Sequence, residues 1–304
     1  MADVVVVGAG GQLATSLAER APGIPCWGRD TVDLARPEAA EARIADSGAR
    51  LVINAAAYTA VDKAESEEDT AHRVNAEGPA ALARACARTG AALVHVSTDY
   101  VFDGTKQGEW TEDDPVAPLG AYGRTKLAGE RAVAAALPRH AILRTAWVYS
   151  PFGHNFVRTM LRLADRERLT VVADQRGKPT SAEDLAAAIL AIAPRLIDAP
   201  AGDPGFGTFH YAGAGATTWA HFAEAIFEDA LPRGLIARAP EVAHITTAEY
   251  PTPARRPANS ALDGSKFERV FGLATVPWRE ALGRTLDRLA ADAANAAPNA
   301  TEAP

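Results

Sequence analysis

The chain has 304 residues, of which 48% are hydrophobic and 23% are charged, so a sizeable core is expected and global disorder is excluded. Lys and Arg number 31 against 38 Asp and Glu, and the net charge of −7 argues against nucleic acid or an anionic membrane as a partner. Short aliphatic runs, no signal-peptide pattern and only two cysteines, Cys26 and Cys86, predict a cytoplasmic protein without a membrane span, disulfide framework or Cys-rich metal site.

Short apolar runs alternate with longer Ala-rich stretches in the first half of the chain. The apolar runs predict strands over residues 3–7, 24–27, 51–55, 92–97 and 141–148. The stretches between them predict helices over residues 12–20, 38–46, 69–89 and 122–136. Near-continuous apolar strands separated by helices are typical of a parallel sheet buried on both faces, so the pattern predicts an α/β, Rossmann-like doubly wound sheet.

The pattern is looser after about residue 150. Helices are predicted over residues 156–164, 181–193 and 219–229. One further strand is predicted over 208–212, and three prolines exclude a helix over 250–259.

These elements predict two domains. A dinucleotide-binding Rossmann domain is expected from residues 1–149 plus about 178–215. A smaller C-terminal substrate-binding domain is expected from about 150–177 and 216–288. The composition of residues 289–304 predicts a flexible tail.

A glycine-rich turn follows the first predicted strand and precedes the first predicted helix. Its spacing, Gly8-x-x-Gly11-x-x-Ala14, is a variant of the dinucleotide fingerprint, in which small residues let backbone N–H groups approach a pyrophosphate. The alternative is a tight turn without a ligand. After the second strand, Arg29 would pair with a 2′-phosphate whereas Asp30 would accept from a 2′-hydroxyl, so NADPH and NADH both stay open as the cofactor.

A Tyr-x-x-x-Lys pair begins the helix predicted over 122–136. Positions i and i+4 share a helix face, so the Lys126 ammonium is expected near the Tyr122 phenol. There it would lower the phenol's pKa and let it give a proton to a carbonyl oxygen. Thr98 ends the fourth strand, at the edge where α/β sheets place ligands, and would bind the same oxygen. The alternatives are an exposed helical pair and ordinary turn chemistry, but the three motifs in this order are specific as a set.

These motifs resemble the extended short-chain dehydrogenase/reductase superfamily and, within it, the dTDP-4-dehydrorhamnose reductase family. The resemblance runs from residue 1 to about residue 290. It is carried by GQL at 11–13, NAAAYTAVDKAE at 54–65, VSTDYVFDG at 96–104, YGRTKLAGE at 122–130, RTAWVY at 144–149, DQRGKPT at 174–180 and YPTPARRP at 250–257.

The motifs and the resemblance together assign site residues. The predicted cofactor-binding residues are Gly8, Gly11, Gln12, Leu13, Arg29, Asp33, Leu34, Ala55, Ala56, Ala57 and Lys126. The predicted catalytic residues are Thr98, Tyr122 and Lys126. The resemblance implies substrate contacts at Thr98, Asp99, Tyr122, Trp147 and Arg256. Arg256 would bind the diphosphate, with a surface ion pair as the alternative, and for Trp147 the alternative is core packing.

The activity that the resemblance implies is NAD(P)H-dependent reduction of the C4 ketone of dTDP-4-dehydro-L-rhamnose to dTDP-L-rhamnose, with Tyr122 as proton donor. Its small-molecule partner is then a dTDP-sugar. Alternative interpretations are another sugar-nucleotide reductase or epimerase of the superfamily, and an NADP-binding regulatory subunit resembling that of methionine adenosyltransferase. The seven histidines form no closely spaced ligand pattern, so no metal site is predicted. A homodimer is left open.

Overall fold

The computed structural model describes residues 3–296. In chain order its strands are β1 (Val4–Val7), β2 (Cys26–Trp27), β3 (Leu51–Asn54), β4 (Ala92–Thr98), β5 (His140–Thr145), β6 (Val148–Tyr149), β7 (Arg168–Val172), β8 (Arg176–Gly177), β9 (Thr180–Ser181), β10 (Gly207–His210), β11 (Thr217–Thr218) and β12 (Glu241–Ile245). Its α-helices are α1 (Gln12–Arg20), α2 (Pro37–Ala45), α3 (Val61–Ala64), α4 (Glu68–His72), α5 (Gly78–Thr89), α6 (Ala121–Ala136), α7 (Phe156–Leu163), α8 (Ala182–Asp198), α9 (Trp219–Ala230), α10 (Ser265–Phe271) and α11 (Trp278–Ala296).

Six strands form one parallel sheet in the order β10-β5-β4-β3-β1-β2. The residues of β1 pair in register with those of β3, and all of them are buried, as expected for a sheet covered on both faces. The chain runs from β1 outward to β2 and returns to β3 on the other side of β1, so the winding reverses there. Open α/β sheets bind ligands at the carboxyl ends of their strands at such a point. The predicted Rossmann-like doubly wound sheet is confirmed.

Helices cover the two faces of this sheet. On one face α1 and α8 pack through Leu17 and Ile189 against strand residues such as Ile53. On the other face α2 and α5 pack through Ile44 and Leu82. Burying a side chain of this size contributes about 1.5–3 kcal/mol. The carboxyl edge therefore belongs to a closely packed arrangement of three layers, with the sheet between two layers of helices.

A separate apolar cluster lies in the second half of the chain. It is built from Phe222 and Phe227 of α9, Val157 of α7 and Leu282 of α11. β7 and β12 pair in parallel beside α9, and two-residue pairs join β6 to β9 and β8 to β11. α10 instead packs with Phe267 in the sheet's own cluster. The predicted domain boundaries stay a prediction. Among residues 3–296, no helix combines the length and apolarity that crossing a membrane requires.

Two predicted elements need correction. The strand predicted over 141–148 stops at Thr145 and restarts as β6, because Trp147 has a φ of 48° and breaks the extended chain. The tail predicted over 289–304 is wrong for residues 289–296, which continue α11. Leu289 packs there against the second apolar cluster and stabilises the helix. Residues 297–304 lie outside the described residues.

The helix predicted over 69–89 is one helical run with a π-helical turn at Arg73–Glu77 between α4 and α5. π-Turns of this kind interrupt α-helices most often at functional sites. Here the turn carries the buried Asn75, which contacts two segments of the carboxyl edge.

Candidate active site at the carboxyl edge of the sheet

The glycine-rich loop lies where the winding of the sheet reverses. Gly8 has a φ of 120°, and a Cβ on it would lie 3.3 Å from the backbone of Ala55 and Ala56. Gly11 is the N-cap of α1, so the first backbone N–H groups of that helix are directed to the edge. The loop and the 55–57 segment thus leave a groove lined by backbone and small side chains, which suits a pyrophosphate.

Several of the predicted cofactor residues have side chains that are buried or already hydrogen-bonded. Leu13 and Leu34 are buried in the two sheet clusters. Asp33 accepts a hydrogen bond from the backbone N–H of Ala35 at 3.0 Å. Arg29 is exposed beyond the end of β2.

The side chain of Gln12 ties the glycine-rich loop to the segment that follows β5. Its Oε1 accepts hydrogen bonds from Ser150 at 2.8 Å and from Asn155 at 3.0 Å. Its Nε2 donates to the carbonyl of Val148 at 3.3 Å. Gln12 therefore joins the start of α1 to the segment between β6 and α7.

Helix α6 brings Tyr122 and Lys126 to the carboxyl end of β4. A Cβ on Gly123 would overlap the carbonyl oxygen of Tyr100, so only glycine lets α6 lie this close to the turn after β4. Lys126 is 2% exposed, and its Nζ donates to the carbonyl of Val96 at 2.8 Å. The sequence-predicted pair is thereby placed beside Thr98, the last residue of β4.

Burial governs the charges of this pair. It lowers the pKa of Lys126 to about 8, and the Glu130 carboxylate opposes that shift. Burial also raises the pKa of the Tyr122 phenol, a hydrogen bond with Thr98 opposes the rise, and the nearby Asp99 adds to it. That Lys126 lowers the phenol's pKa stays a prediction, and in this structure the ammonium donates to the Val96 carbonyl. Tyr122 is neutral at pH 7.

Thr98 links the phenol to a buried carboxyl group. Its hydroxyl donates to Asp99 Oδ1 at 2.9 Å and accepts from the N–H of Tyr100 at 3.2 Å. Burial raises the pKa of Asp99 to about 6, against the hydrogen bonds from Ser260 and Thr98. The predicted substrate residues Thr98 and Asp99 thus adjoin Tyr122 in one network.

Unpaired buried polar atoms gather at the ends of β4 and β5. Within residues 3–296, those near this edge include Ser97 Oγ, Asp99 Oδ2, Arg144 Nη1 and Thr145 Oγ1. Buried polar atoms in native proteins are almost always hydrogen-bonded. Such a group of open donors and acceptors beside Tyr122 is what a polar substrate or an ordered water would satisfy.

Trp147, just after β5, and Arg256, in the segment after β12, are the other predicted substrate residues. The Trp147 indole stacks on that of Trp219 with ring centroids 3.6 Å apart and planes 10° apart. Arg256 pairs with Asp62 at 2.9 Å and donates to the Tyr100 hydroxyl at 3.4 Å. The Tyr100 ring in turn meets the Tyr122 ring edge-on, with centroids 5.4 Å apart. Trp147 therefore packs on another ring and Arg256 forms an ion pair, as the alternatives considered in the sequence analysis expect.

A family model described as the RmlD substrate binding domain matches residues 1–291. A dTDP-4-dehydrorhamnose reductase of Sinorhizobium fredii is 47% identical over 285 residues, which cover 92% of this chain and 95% of the relative. The chain belongs to the dTDP-4-dehydrorhamnose reductase family. A crystal structure of the family from Bacillus anthracis, in complex with NADP, has a TM-score of 0.84 at 34% identity and covers 94% of this chain and 98% of that one.

The family also includes a relative named for a different ketone. A probable dTDP-4,6-dihydroxy-2-methyloxan-3-one 4-ketoreductase of Streptomyces antibioticus is 43% identical over 290 residues, which cover 93% of this chain and 93% of the relative. Similarity at this level spans both halves of the chain.

The buried polar residues that pack beside the Tyr122–Lys126 pair were not predicted from the sequence. Glu130 and Arg144 form a buried ion pair at 2.7 Å, and Glu130 lies one turn after Lys126 on α6. Asn75 accepts from the Tyr58 N–H at 2.8 Å and donates to Thr125 at 3.2 Å. The i+4 spacing of Lys126 and Glu130 was a usable signal, whereas the partners of Asn75 are distant in sequence.

No metal site was predicted from the sequence, and that stays a prediction, but the fold brings three potential ligands together on the surface. His221, Glu224 and His244 lie together on α9 and β12. Only His221 and Glu224 are close in sequence, so spacing could not reveal the third member.

Proposed function

We propose that this chain uses NADPH or NADH to reduce the C4 ketone of dTDP-4-dehydro-L-rhamnose to dTDP-L-rhamnose. The single observation that carries the proposal is the meeting of Thr98, Tyr122 and Lys126 beside the glycine-rich groove at the carboxyl edge. The names of the relatives supply the substrate class. A bound NADPH or NADH would supply the hydride to the carbonyl carbon.

Tyr122 is the proposed proton donor to the ketone oxygen. Its raised pKa keeps the phenol protonated at neutral pH, so that it carries the proton which the alkoxide must receive. Thr98 would hold the same oxygen and, after transfer, stabilise the phenolate by the hydrogen bond that already opposes the pKa rise. Lys126 adds positive charge one helical turn away and is the proposed contact to the nicotinamide ribose.

The nucleotide and sugar are proposed to lie at the carboxyl edge of the sheet, between Tyr122 on one side and Trp147 and Arg256 on the other. Asp99 would accept from sugar hydroxyls, and Trp147 would pack on the apolar face of the sugar. Arg256 is proposed to bind the diphosphate. This requires it to exchange its partly exposed ion pair with Asp62, and such a pair is worth only about 1 kcal/mol or less.

The cofactor is proposed to lie along Gly8, Gly11, Gln12 and Leu13, with the adenosine near Asp33 and Leu34. Ala55, Ala56 and Ala57 would line the path to the nicotinamide. Exposed Arg29 favours a 2′-phosphate, and hence NADPH, at the ribose.

The proposed reaction joins a nucleotide sugar and a reduced nicotinamide, which are metabolites of the cytoplasm. The thiols Cys26 and Cys86 are free, in keeping with a reducing compartment. We therefore propose a cytoplasmic location, and a homodimer as the assembly to test by light scattering.

A second candidate is the reduction of a different dTDP-linked keto-sugar. The Streptomyces antibioticus relative, named for another 4-ketoreduction, favours it at 43% identity. The residue that gives the proton would be the same. Only the stacked indoles of Trp147 and Trp219, called here the sugar wall, would differ.

The test is the loss of reduced-nicotinamide absorbance with NADPH and with NADH. The substrate is dTDP-4-keto-6-deoxyglucose, with and without a 3,5-epimerase. Oxidation that requires the epimerase supports the rhamnose reaction and identifies the preferred cofactor. Oxidation without the epimerase supports the second candidate. Protein that binds NADPH yet oxidises it in neither mixture would overturn the rhamnose reaction and point to another substrate or to a regulatory subunit.

A further inference from the structure

Three metal-ligating side chains meet on the surface of the second apolar cluster, apart from the site at the sheet edge. His221 and Glu224 lie three residues apart on α9, and His244 lies on β12, which packs beside that helix. Their nitrogen and oxygen ligand atoms all lie within 4.8 Å of one another. His244 Nε2 is 2.7 Å from Glu224 Oε1, and the two imidazole centroids are 5.4 Å apart.

We propose that His221, Glu224 and His244 bind one divalent transition-metal ion, with zinc as the best match. Two imidazole nitrogens and a carboxylate are a donor set that suits zinc, nickel or copper, whereas magnesium prefers oxygen ligands alone. Zinc sites with three protein ligands complete their tetrahedron with water, and all three side chains here are exposed to it.

The spacing of the ligand atoms fits this ion. Two atoms that each lie about 2.1 Å from zinc at a tetrahedral angle are about 3.4 Å apart. The observed separations of 2.7 Å and up to 4.8 Å bracket that value. Because the side chains are exposed, small rotations suffice to gather them around an ion.

Regular secondary structure holds the three positions. Thr218 caps α9 by accepting the N–H of His221 at 3.2 Å, which fixes the first turn of the helix. Phe222 and Ala223 are buried in the second apolar cluster, so their neighbours at 221 and 224 remain on the outer side. His244 pairs in register with Val171 of β7. Sites on helices and strands are held more tightly than sites on loops.

The metal ion would stabilise the fold by linking two elements. It would join α9, which begins at Trp219, to β12, which leads into the segment that carries Arg256. Both elements lie next to the proposed sugar wall, but none of the three metal-binding side chains contacts Thr98, Tyr122 or Lys126. The site therefore stands whether or not the proposed reaction is correct.

Calorimetric titration of the EDTA-treated full chain with ZnCl2, and separately with MgCl2, tests the proposal. We expect one equivalent of zinc and no comparable magnesium binding. His221→Ala and His244→Ala should each weaken zinc binding by about tenfold or more, since loss of metal-site partners has effects of this size. Glu224→Gln, which keeps the side-chain shape, should weaken it as well.

His72→Ala and His154→Ala are the matched controls, because both histidines are exposed and lie outside the cluster. Zinc should raise the melting temperature of the wild type and both controls but not that of the double variant His221→Ala/His244→Ala, whose folding is checked by circular dichroism. Absence of zinc binding, or zinc binding that is unchanged in the double variant, would overturn the proposal.

Discussion

Helix α6 and the Trp147–Trp219 stack face the same edge of the sheet, but they are held there in different ways. α6 lies against its neighbours backbone to backbone: Cβ atoms on Gly123 and Gly129 would overlap the carbonyl oxygens of Tyr100 and Asn75. The opposite wall depends on one side chain stacked upon another. Backbone contacts hold the proposed proton donor closely, whereas a wall made of side chains can change by substitution. A family with relatives named for different keto-sugars can therefore vary the wall and keep the chemistry.

The largest effect is expected at Tyr122, because α6 carries the proposed proton donor. Tyr122→Phe removes the only proton that the phenol carries and should lower kcat by about 10²–10⁴-fold. NADPH binding, measured by fluorescence titration, should be nearly unchanged because the glycine-rich groove is intact. Turnover near the wild-type rate would exclude Tyr122 as the proton donor.

Lys126→Met tests how much the buried Lys126 ammonium on α6 destabilises the fold. Lys126 has a folded-state pKa of about 8, below its usual 10.5, so its charge destabilises the fold fully below pH 8. Between pH 8 and 10 the folded state loses the proton before the unfolded state does, and stability rises with pH. The wild type should therefore gain about 2 kcal/mol relative to the variant over this window.

Urea unfolding of both proteins at several pH values measures this gain. Other lysines and tyrosines titrate in both proteins and cancel in the difference. A difference that stays constant from pH 8 to 10 would contradict the lowered pKa.

Glycine-to-alanine changes in the two halves should have opposite signs. Gly129→Ala forces a methyl group onto the Asn75 carbonyl and should cost about 1–3 kcal/mol of unfolding free energy. Gly283→Ala, in α11, meets only the flexible end of Arg233 at 3.6 Å and should stabilise by about 0.5–1 kcal/mol. Urea unfolding measures both, and equal effects would show that the backbone contact of α6 is not special.

Trp219→Phe tests the side-chain wall. The smaller ring keeps an aromatic contact with Trp147 but loses part of the stack, which is worth about 0.5–1.5 kcal/mol. We expect KM for the sugar nucleotide to rise by about twofold to tenfold while kcat changes little. A fall in kcat with unchanged KM would place Trp219 with the catalytic group instead.

The smallest effect is expected at Arg124, between the two motif residues of α6. Its side chain pairs with Glu68 on the surface, and both are about half exposed. Arg124→Ala should change the unfolding free energy by less than about 1 kcal/mol and leave kcat unchanged. Steady-state kinetics and urea unfolding check both, and a large loss of activity would show that Arg124 contacts a ligand.

The parallel sheet was predictable because its strands are apolar on both faces and its helices are long. β7 and β12 were missed because exposed residues interrupt the buried ones of β7 and the partly buried ones of β12, so neither forms a continuous apolar run. The proposed catalytic pair could be recognised in the sequence because Tyr122 and Lys126 are one helical turn apart. Glu130 with Arg144, and Glu224 with His244, pair across elements, so their meeting depends on tertiary packing that spacing does not encode.

Gly177 and Trp147 limit each other's replacement because they lie in contact. A Cβ at 177 would overlap the Trp147 indole, so any larger residue there requires a smaller one at 147. The effects of substitutions at contacting positions are not additive, and a change that is harmful alone becomes acceptable after its partner has changed. The order in which mutations arise therefore decides which sugar walls this lineage can reach, and the two positions should vary as a pair among its descendants.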